Sequence, residues 1–163
     1  MSRDDLVKSR KQEKRIAADL GGRRQVASGA LWFAKDDIRV HGSLRLEVKT
    51  TGTTQYRFDI RPYRSLRKRA HQLGEIPVFV VEFRPLGESI AIFDEGAFEI
   101  DGIRVEDTIP TPRKTYLFKG ELLSSLLQLS YPRPYRLALT FEATSDKLWC
   151  TSYPALQGAL PTP

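Results

Sequence analysis

The segment Ile76 to Phe83 reads IPVFVVEF, and a stretch this apolar has to be buried on both faces. Its core, Val78 to Val81, is far short of the roughly 20 apolar residues that span a bilayer, so it reads as an interior strand. The residues before it keep a different period. Between Asp59 and Leu73 the positions Tyr63, Leu66, Ala70 and Leu73 recur on one face of a helix, and Gly74 stops it. After it, Pro85-Leu86-Gly87 reads as a turn and Ser89 to Phe93 (SIAIF) as the return strand of a hairpin.

Upstream, Asp4 to Leu20 reads as a helix ended by Gly21-Gly22. Arg23 to Ala27 is a short candidate strand, Ser28-Gly29 a turn, and Ala30 to Ala34 (ALWFA) a second apolar run leading into Lys35-Asp36-Asp37-Ile38. After His41-Gly42-Ser43, Leu44 to Thr50 alternates, with Leu44, Leu46 and Val48 on one face and Arg45, Glu47 and Lys49 on the other. Helix, three strands, helix and two strands imply an α/β fold in which helices flank a mixed sheet.

In the last third, Phe98 to Val105, Tyr116 to Phe118 and Arg136 to Phe141 are candidate short strands. Gly120 to Leu129 carries Leu122, Leu126 and Leu129 at helical spacing, and Pro154, Pro161 and Pro163 predict a loosely ordered tail. No internal repeat is visible. The expected organisation is one domain, with a core over residues 1–94 and a C-terminal elaboration over residues 95–163.

Composition narrows the partners. The 163 residues carry 26 Lys+Arg against 20 Asp+Glu, a net charge of +6, which makes polyanions natural ligands. With 40% hydrophobic and 28% charged residues the chain is globular in character, not a disordered basic tail. A single cysteine, Cys150, excludes an intramolecular disulfide framework and a multi-cysteine zinc site. The N-terminal stretch lacks a signal-peptide h-region, and a cytoplasmic, membrane-free protein is expected.

Glu47-Val48-Lys49 sets a carboxylate and an ammonium on one face of a strand, about 7 Å apart by strand rise. Alone this describes the solvated face of many amphipathic strands. Asp37, ten residues upstream, changes the weighing, because a hairpin folded at Gly42 brings it beside Glu47. Two converging carboxylates call for a cation, and hard oxygen ligands suit magnesium or manganese. Lys49 would then position water or stabilise charge on a phosphoryl oxygen. Glu13 lies at helical spacing from Leu6, Ile16, Ala17 and Leu20, so it points toward the core side of the first helix. It either snorkels out at the edge of that stripe or reaches a metal or a basic partner.

Taken together, Glu13, Asp37, Glu47 and Lys49 resemble the PD-(D/E)XK nuclease superfamily, whose core is a helix, a strand hairpin, a helix and another strand. This chain has Asp36 where proline is usual in that motif, and Asp36 is the alternative ligand. Within the superfamily the likeness is to archaeal-type Holliday junction resolvases, which also occur in phages. It runs from about Lys8 to Phe93 and includes Glu13 to Gly22, Arg23, Arg24, Ser28, Gly29, the Asp37/Glu47/Lys49 set with Thr50, and a basic helix before PVFVVEF. The resemblance implies a restriction-endonuclease-like core, Mg²⁺ held by Asp37, Glu47 and Glu13 with Mn²⁺ able to substitute, catalysis by those three with Lys49, and recombination or repair of branched DNA. It also implies a homodimer, since a four-way junction needs two symmetric cuts. The apolar side of Gly120 to Leu129, or the VFVVEF segment, is the candidate interface. Ser28 is either a residue near DNA or a plain turn residue.

Two basic clusters would hold the DNA. Arg61, Arg64, Lys68 and His71 share a helical face, and no acidic residue interrupts Arg61 to Leu73. Lys8, Arg10, Lys11, Lys14 and Arg15, followed by Arg23 and Arg24, form the second. Each reads either as a solvated helix face or as a phosphate grip flanking the carboxylates. Neither His41 nor His71 is placed for general-base work, and Trp32 and Trp149 read as core or interface residues rather than base-stacking platforms.

Overall fold

Burial of the IPVFVVEF strand on both faces requires strands on either side of it and helices above and below. The computed structural model, which describes residues 3–21, 23–24, 38–40, 43–100, 104–127 and 135–160, has that arrangement. In chain order the elements are α1 (Arg3–Asp19), β1 (Arg23–Arg24), β2 (Ile38–Val40), β3 (Leu44–Thr51), β4 (Tyr56–Asp59), α2 (Ile60–His71), β5 (Ile76–Phe83) and β6 (Glu88–Asp94). There follow β7 (Arg104–Thr111), β8 (Thr115–Phe118), α3 (Gly120–Leu127), β9 (Tyr135–Phe141), β10 (Asp146–Ser152) and α4 (Tyr153–Ala159). Among the described residues, an 8-stranded mixed sheet runs β1-β2-β3-β5-β6-β10-β9-β7, and β4 pairs with β8 in a separate ribbon.

Strand β3 pairs parallel with β5, so the chain between them must cross over, and β4 with α2 makes that crossing. Asp59 caps α2 by accepting the Arg61 backbone N–H at 2.9 Å. Ile60, Tyr63, Leu66 and Ala70 form its buried stripe. Leu73, expected on that stripe, is 53% exposed because the helix stops at His71 and Gly74 turns the chain at φ +68°. Two cores result. Phe79, Val81 and Phe83 face α2 and α3, whereas Leu46, Val48, Val78 and Val80 pack with Ile16 and Ala17 of α1 and Leu156 of α4.

The C-terminal residues depart from the sequence expectations in several places. Asp146–Ser152 is a strand inside the sheet, antiparallel to β6, and Tyr153–Ala159 is a helix. Pro154 falls in the first turn of α4, where a missing N–H breaks no hydrogen bond, and Ser152 caps the same turn by accepting the Ala155 N–H at 3.4 Å. This proline therefore starts a helix rather than loosening a tail; residues 161–163 lie outside the described residues. The strand expected at Phe98 to Val105 begins instead at Arg104. Of Arg23 to Ala34, only Arg23–Arg24 is described, as an edge strand on β2. Among the described residues neither expected dimer surface is open: Leu123 and Leu126 of α3 are core residues at 2% exposure, and β5 is interior.

The chain does contain an internal repeat, contrary to the sequence reading. The order strand, short strand, helix, parallel strand and hairpin return strand occurs as β3-β4-α2-β5-β6 and again as β7-β8-α3-β9-β10. The two units meet back to back at the antiparallel β6–β10 pair and exchange β4 against β8. The correspondence extends to single residues. Tyr56 and Phe58 match Tyr116 and Phe118, with Tyr56 opposite Phe118 and Phe58 opposite Tyr116. Buried Tyr63 and Leu66 match buried Leu123 and Leu126. The two hairpins turn through residues of equal number, at Arg84–Gly87 and Glu142–Ser145, and end alike, on Gly87 at φ +65° and Ser145 at φ +56°.

Candidate functional site

On β3 the side chains of Leu44, Leu46 and Val48 go to the α1 side, which leaves Arg45, Glu47 and Lys49 on the α2 side. There Lys49 Nζ lies 2.6 Å from Glu47 Oε1, with both side chains partly open to solvent. Behind them, Phe79 stands opposite Glu47 in the parallel register, and the Tyr56 ring lies 6.3 Å from the Phe79 ring. Burial pushes the Tyr56 phenol above its ordinary pKa; the Lys49 charge opposes this, and the Glu47 and Asp59 carboxylates reinforce it. Tyr56 thus shares the electrostatic surroundings of the Glu47–Lys49 pair. Sequence reasoning missed it because Tyr56–Asp59 is too short a strand to show a period.

Asp37, Asp36, Ser28, His41 and Trp32 lie outside the described residues. Ile38, which follows Asp37, is paired with Leu46, which precedes Glu47. On α1 Gln12 is buried at 5% exposure, next to a half-buried Glu13. Gln12 accepts a hydrogen bond from the Thr50 hydroxyl and donates to the Lys49 carbonyl at 3.5 Å, which fastens α1 to the end of β3. Because α1 covers the Leu46 and Val48 face, Glu13 sits on the layer opposite Glu47 and Lys49.

The polar face of β3 is not uniformly solvated. Arg45 is buried, and its Nε donates to Glu75 Oε2 at 2.8 Å.

The basic clusters occupy helices on opposite faces of the sheet. On α1, Arg10, Lys11 and Lys14 are exposed, and Arg15 pairs with Glu82 at 3.2 Å; the side chains of Lys8, Arg23 and Arg24 are not described. On α2, Arg61, Arg64, Arg67, Lys68 and His71 line a shallow concavity of about 470 Å³. Carboxylates from elsewhere in the chain answer much of this charge. Asp59 takes the Arg61 guanidinium at 3.0 Å, and that contact holds the Asp59 carboxyl below the usual carboxylate range. Arg67 reaches Asp94 at 3.1 Å and also Asp146, Arg64 lies 3.6 Å from Asp146, and His71 lies 3.7 Å from Asp94. Asp94 and Asp146 belong to β6 and β10, two and three strands from β3, about 10–14 Å by strand spacing. The α2 cluster therefore stands to one side of Glu47 and Lys49. Trp149 is half-buried with the Arg136 guanidinium 3.4 Å above its ring, so that face of the indole is already covered.

Magnesium takes hard oxygen donors, and Glu47, a partly exposed carboxylate beside a lysine, is of the right chemistry. Among the described residues no group of three or more His, Cys, Asp or Glu side chains converges, and Asp37 is not one of them. No described helix is long and apolar enough to cross a membrane. Comparison with protein-family models, with characterised proteins and with solved structures finds no match to this chain. What the fold and site define is an α/β protein with a mixed sheet flanked by helices and a carboxylate–lysine pair on an interior strand.

Proposed function

We propose that the chain is a metal-dependent endonuclease that hydrolyses phosphodiester bonds in DNA, with branched structures such as four-way junctions as its substrate. The observation that carries this reading is the Glu47–Lys49 pair, 2.6 Å apart on the α2 side of β3. Two features of the surroundings support it. The order α1, β2–β3 hairpin, α2 and parallel β5 follows the helix, hairpin, helix and strand of a restriction-endonuclease-like core. Ile38, next to Asp37 in sequence, pairs with Leu46, next to Glu47, and the reading takes Asp37 and Glu47 as the pair that would continue this register.

In this reading Asp37 and Glu47 hold Mg²⁺ or Mn²⁺, and Glu13, carried by α1 on the other face of the sheet, is left out of the set. The ion, when bound, supplies Lewis-acid stabilisation of phosphoryl oxygens and a more acidic water. Glu47 anchors the Lys49 ammonium, and Lys49 orients the attacking water or stabilises the negative charge on phosphorus-bound oxygen. The exposed cations of α1 and α2 hold the backbone. Two copies supply the paired cuts that a junction requires.

Incubating the protein with a labelled four-way junction, and with linear duplex of the same sequence, with and without Mg²⁺ tests this directly. Symmetric nicks near the branch point that vanish in Asp37→Asn and Lys49→Ala are expected. Equal cutting of both substrates would keep the nuclease and remove the junction, leaving ends, flaps or foreign duplex as targets. A second reading, a non-catalytic DNA-binding protein, draws on the closed geometry of the same pair, in which Lys49 and Glu47 satisfy each other. It predicts no cleavage with Mg²⁺ or Mn²⁺ and unchanged binding when either carboxylate is replaced.

A further inference from the structure

We infer that residues 104–152 are a duplicate of residues 44–94 that keeps the scaffold and lacks the cutting centre, so that each copy of the chain makes one incision. This rests on the nuclease reading of Glu47 and Lys49.

The two-fold relation is fixed by register. Phe79 and Val81 of β5 correspond to Leu137 and Leu139 of β9, since both pairs stand at the same distance from matching hairpin turns. Glu47 pairs with Phe79 and Lys49 with Val81; Asp107 pairs with Leu137 and Ile109 with Leu139. Asp107 therefore occupies the register position of Glu47, and Ile109 that of Lys49. The axis relating the units passes between Ile92 and Cys150 in the sheet and between Arg57 and Leu117 in the ribbon, each of which faces its own counterpart.

Three differences separate the units, and all of them fall on the proposed chemistry. Ile109 packs against the core and offers no ammonium. Strand β3 has β2 on its outer side, which brings the chain in from Asp37, whereas β7 is the last strand of the sheet among the described residues. Helix α3 carries Ser124 and Leu127 at the positions of Arg64 and Arg67, so the basic flank is absent as well. What the second unit retains is structural. It supplies β8 to pair with β4, and Phe118 and Phe141 to the core that backs Phe79, with Phe141 6.0 Å from Phe58 ring to ring. Paired cutting of a junction thus needs a second copy of the chain, not the second half of one.

A supercoiled plasmid with an extruded cruciform, cut by mixtures of wild type and Lys49→Ala at constant total protein, tests the inference. Total incisions should fall in proportion to the wild-type fraction and linear product as its square, with open-circular product from mixed pairs greatest near equal mixing, no incision by Lys49→Ala alone and no change in Asp107→Asn. Linear product that falls only in proportion to the wild-type fraction, or incision by Lys49→Ala that Asp107→Asn abolishes, overturns the inference and leaves the nuclease standing. Absence of any incision by the wild type removes the nuclease reading and the inference together, an outcome distinct from both of these.

Discussion

Arg45 Nε lies 2.8 Å from Glu75 Oε2, with the two side chains 4% and 0% exposed, between the start of β3 and the residue preceding β5. The pair bridges two parallel strands where the crossover through α2 closes. Breaking one side of a buried ion pair leaves the other charge in a low-dielectric site, typically at about 3–5 kcal/mol, whereas replacing both by apolar groups of similar volume is far milder. Glu75→Gln should therefore lower the stability measured by urea unfolding by about that amount. The double variant Arg45→Met/Glu75→Leu should recover most of it. A small loss in Glu75→Gln, which keeps an oxygen to accept from Arg45 Nε, with a larger loss in the double variant would mean that the hydrogen bond, not the charges, matters here.

The duplicated hairpins give a stability prediction of opposite sign. Gly87 and Ser145 both close their turns in the left-handed region, at φ +65° and +56°, but only Ser145 carries a Cβ there. That conformation costs an L-residue about 1–2 kcal/mol. Ser145→Gly should raise the unfolding midpoint by roughly 2–4 °C for each kcal/mol gained, and Gly87→Ser should lower it comparably. No Cβ contact closer than 4 Å awaits a side chain at Gly87, so its cost would come from the backbone alone.

Asp146 ties stability to pH. Burial alone would raise its carboxyl pKa, but the Thr144 hydroxyl and the Arg67 guanidinium, with Arg64 nearby, outweigh that and hold it below the usual range. A carboxylate whose folded pKa is depressed stabilises the fold above its unfolded value, near 3.9, and that contribution disappears as pH falls through the folded value. The wild type should lose stability more steeply below about pH 4 than Asp146→Asn, and the variant should be the less stable of the two at neutral pH. Urea midpoints collected across acid pH decide it; parallel curves would exclude Asp146 as a contributor.

The legible parts of the fold were those written in a period long enough to see. The boundaries of β5 follow directly from IPVFVVEF, and the α2 stripe from Tyr63, Leu66 and Ala70. Tyr56–Asp59 was too short to register, and Pro154 suggested disorder where its position in a first turn makes it a helix starter. The repeat escaped because the two units share packing positions and little identity. Its trace is Thr51, Tyr56 and Phe58 recurring at the same spacing as Thr111, Tyr116 and Phe118. Within the site, Glu47 and Lys49 were readable because a strand puts alternate residues on one face. The partners of the α2 cations were not, since Asp94 and Asp146 arrive from strands remote in sequence.

That ion pairing sorts the basic residues of α2 by what they can offer a phosphate backbone. Arg61 is held by its own capping residue, Asp59, and Arg67 by two carboxylates. Arg64 is 53% exposed and only 3.6 Å from one oxygen of Asp146, and Lys68 is exposed with no carboxylate partner among the described residues. Each lysine or arginine that neutralises a phosphate contributes about 0.9 to the slope of log affinity against log salt. With a labelled duplex in EDTA, Arg64→Ala and Lys68→Ala should each flatten that slope by roughly 0.9, and Arg61→Ala should leave it unchanged. Asp94→Asn, which removes a negative charge 3.7 Å from His71, should tighten binding at low salt. Equal effects at all three basic positions would show that the Asp59 contact opens when DNA arrives; no effect at any of them would move the backbone contacts to Arg10, Lys11 and Lys14 on the other face of the sheet.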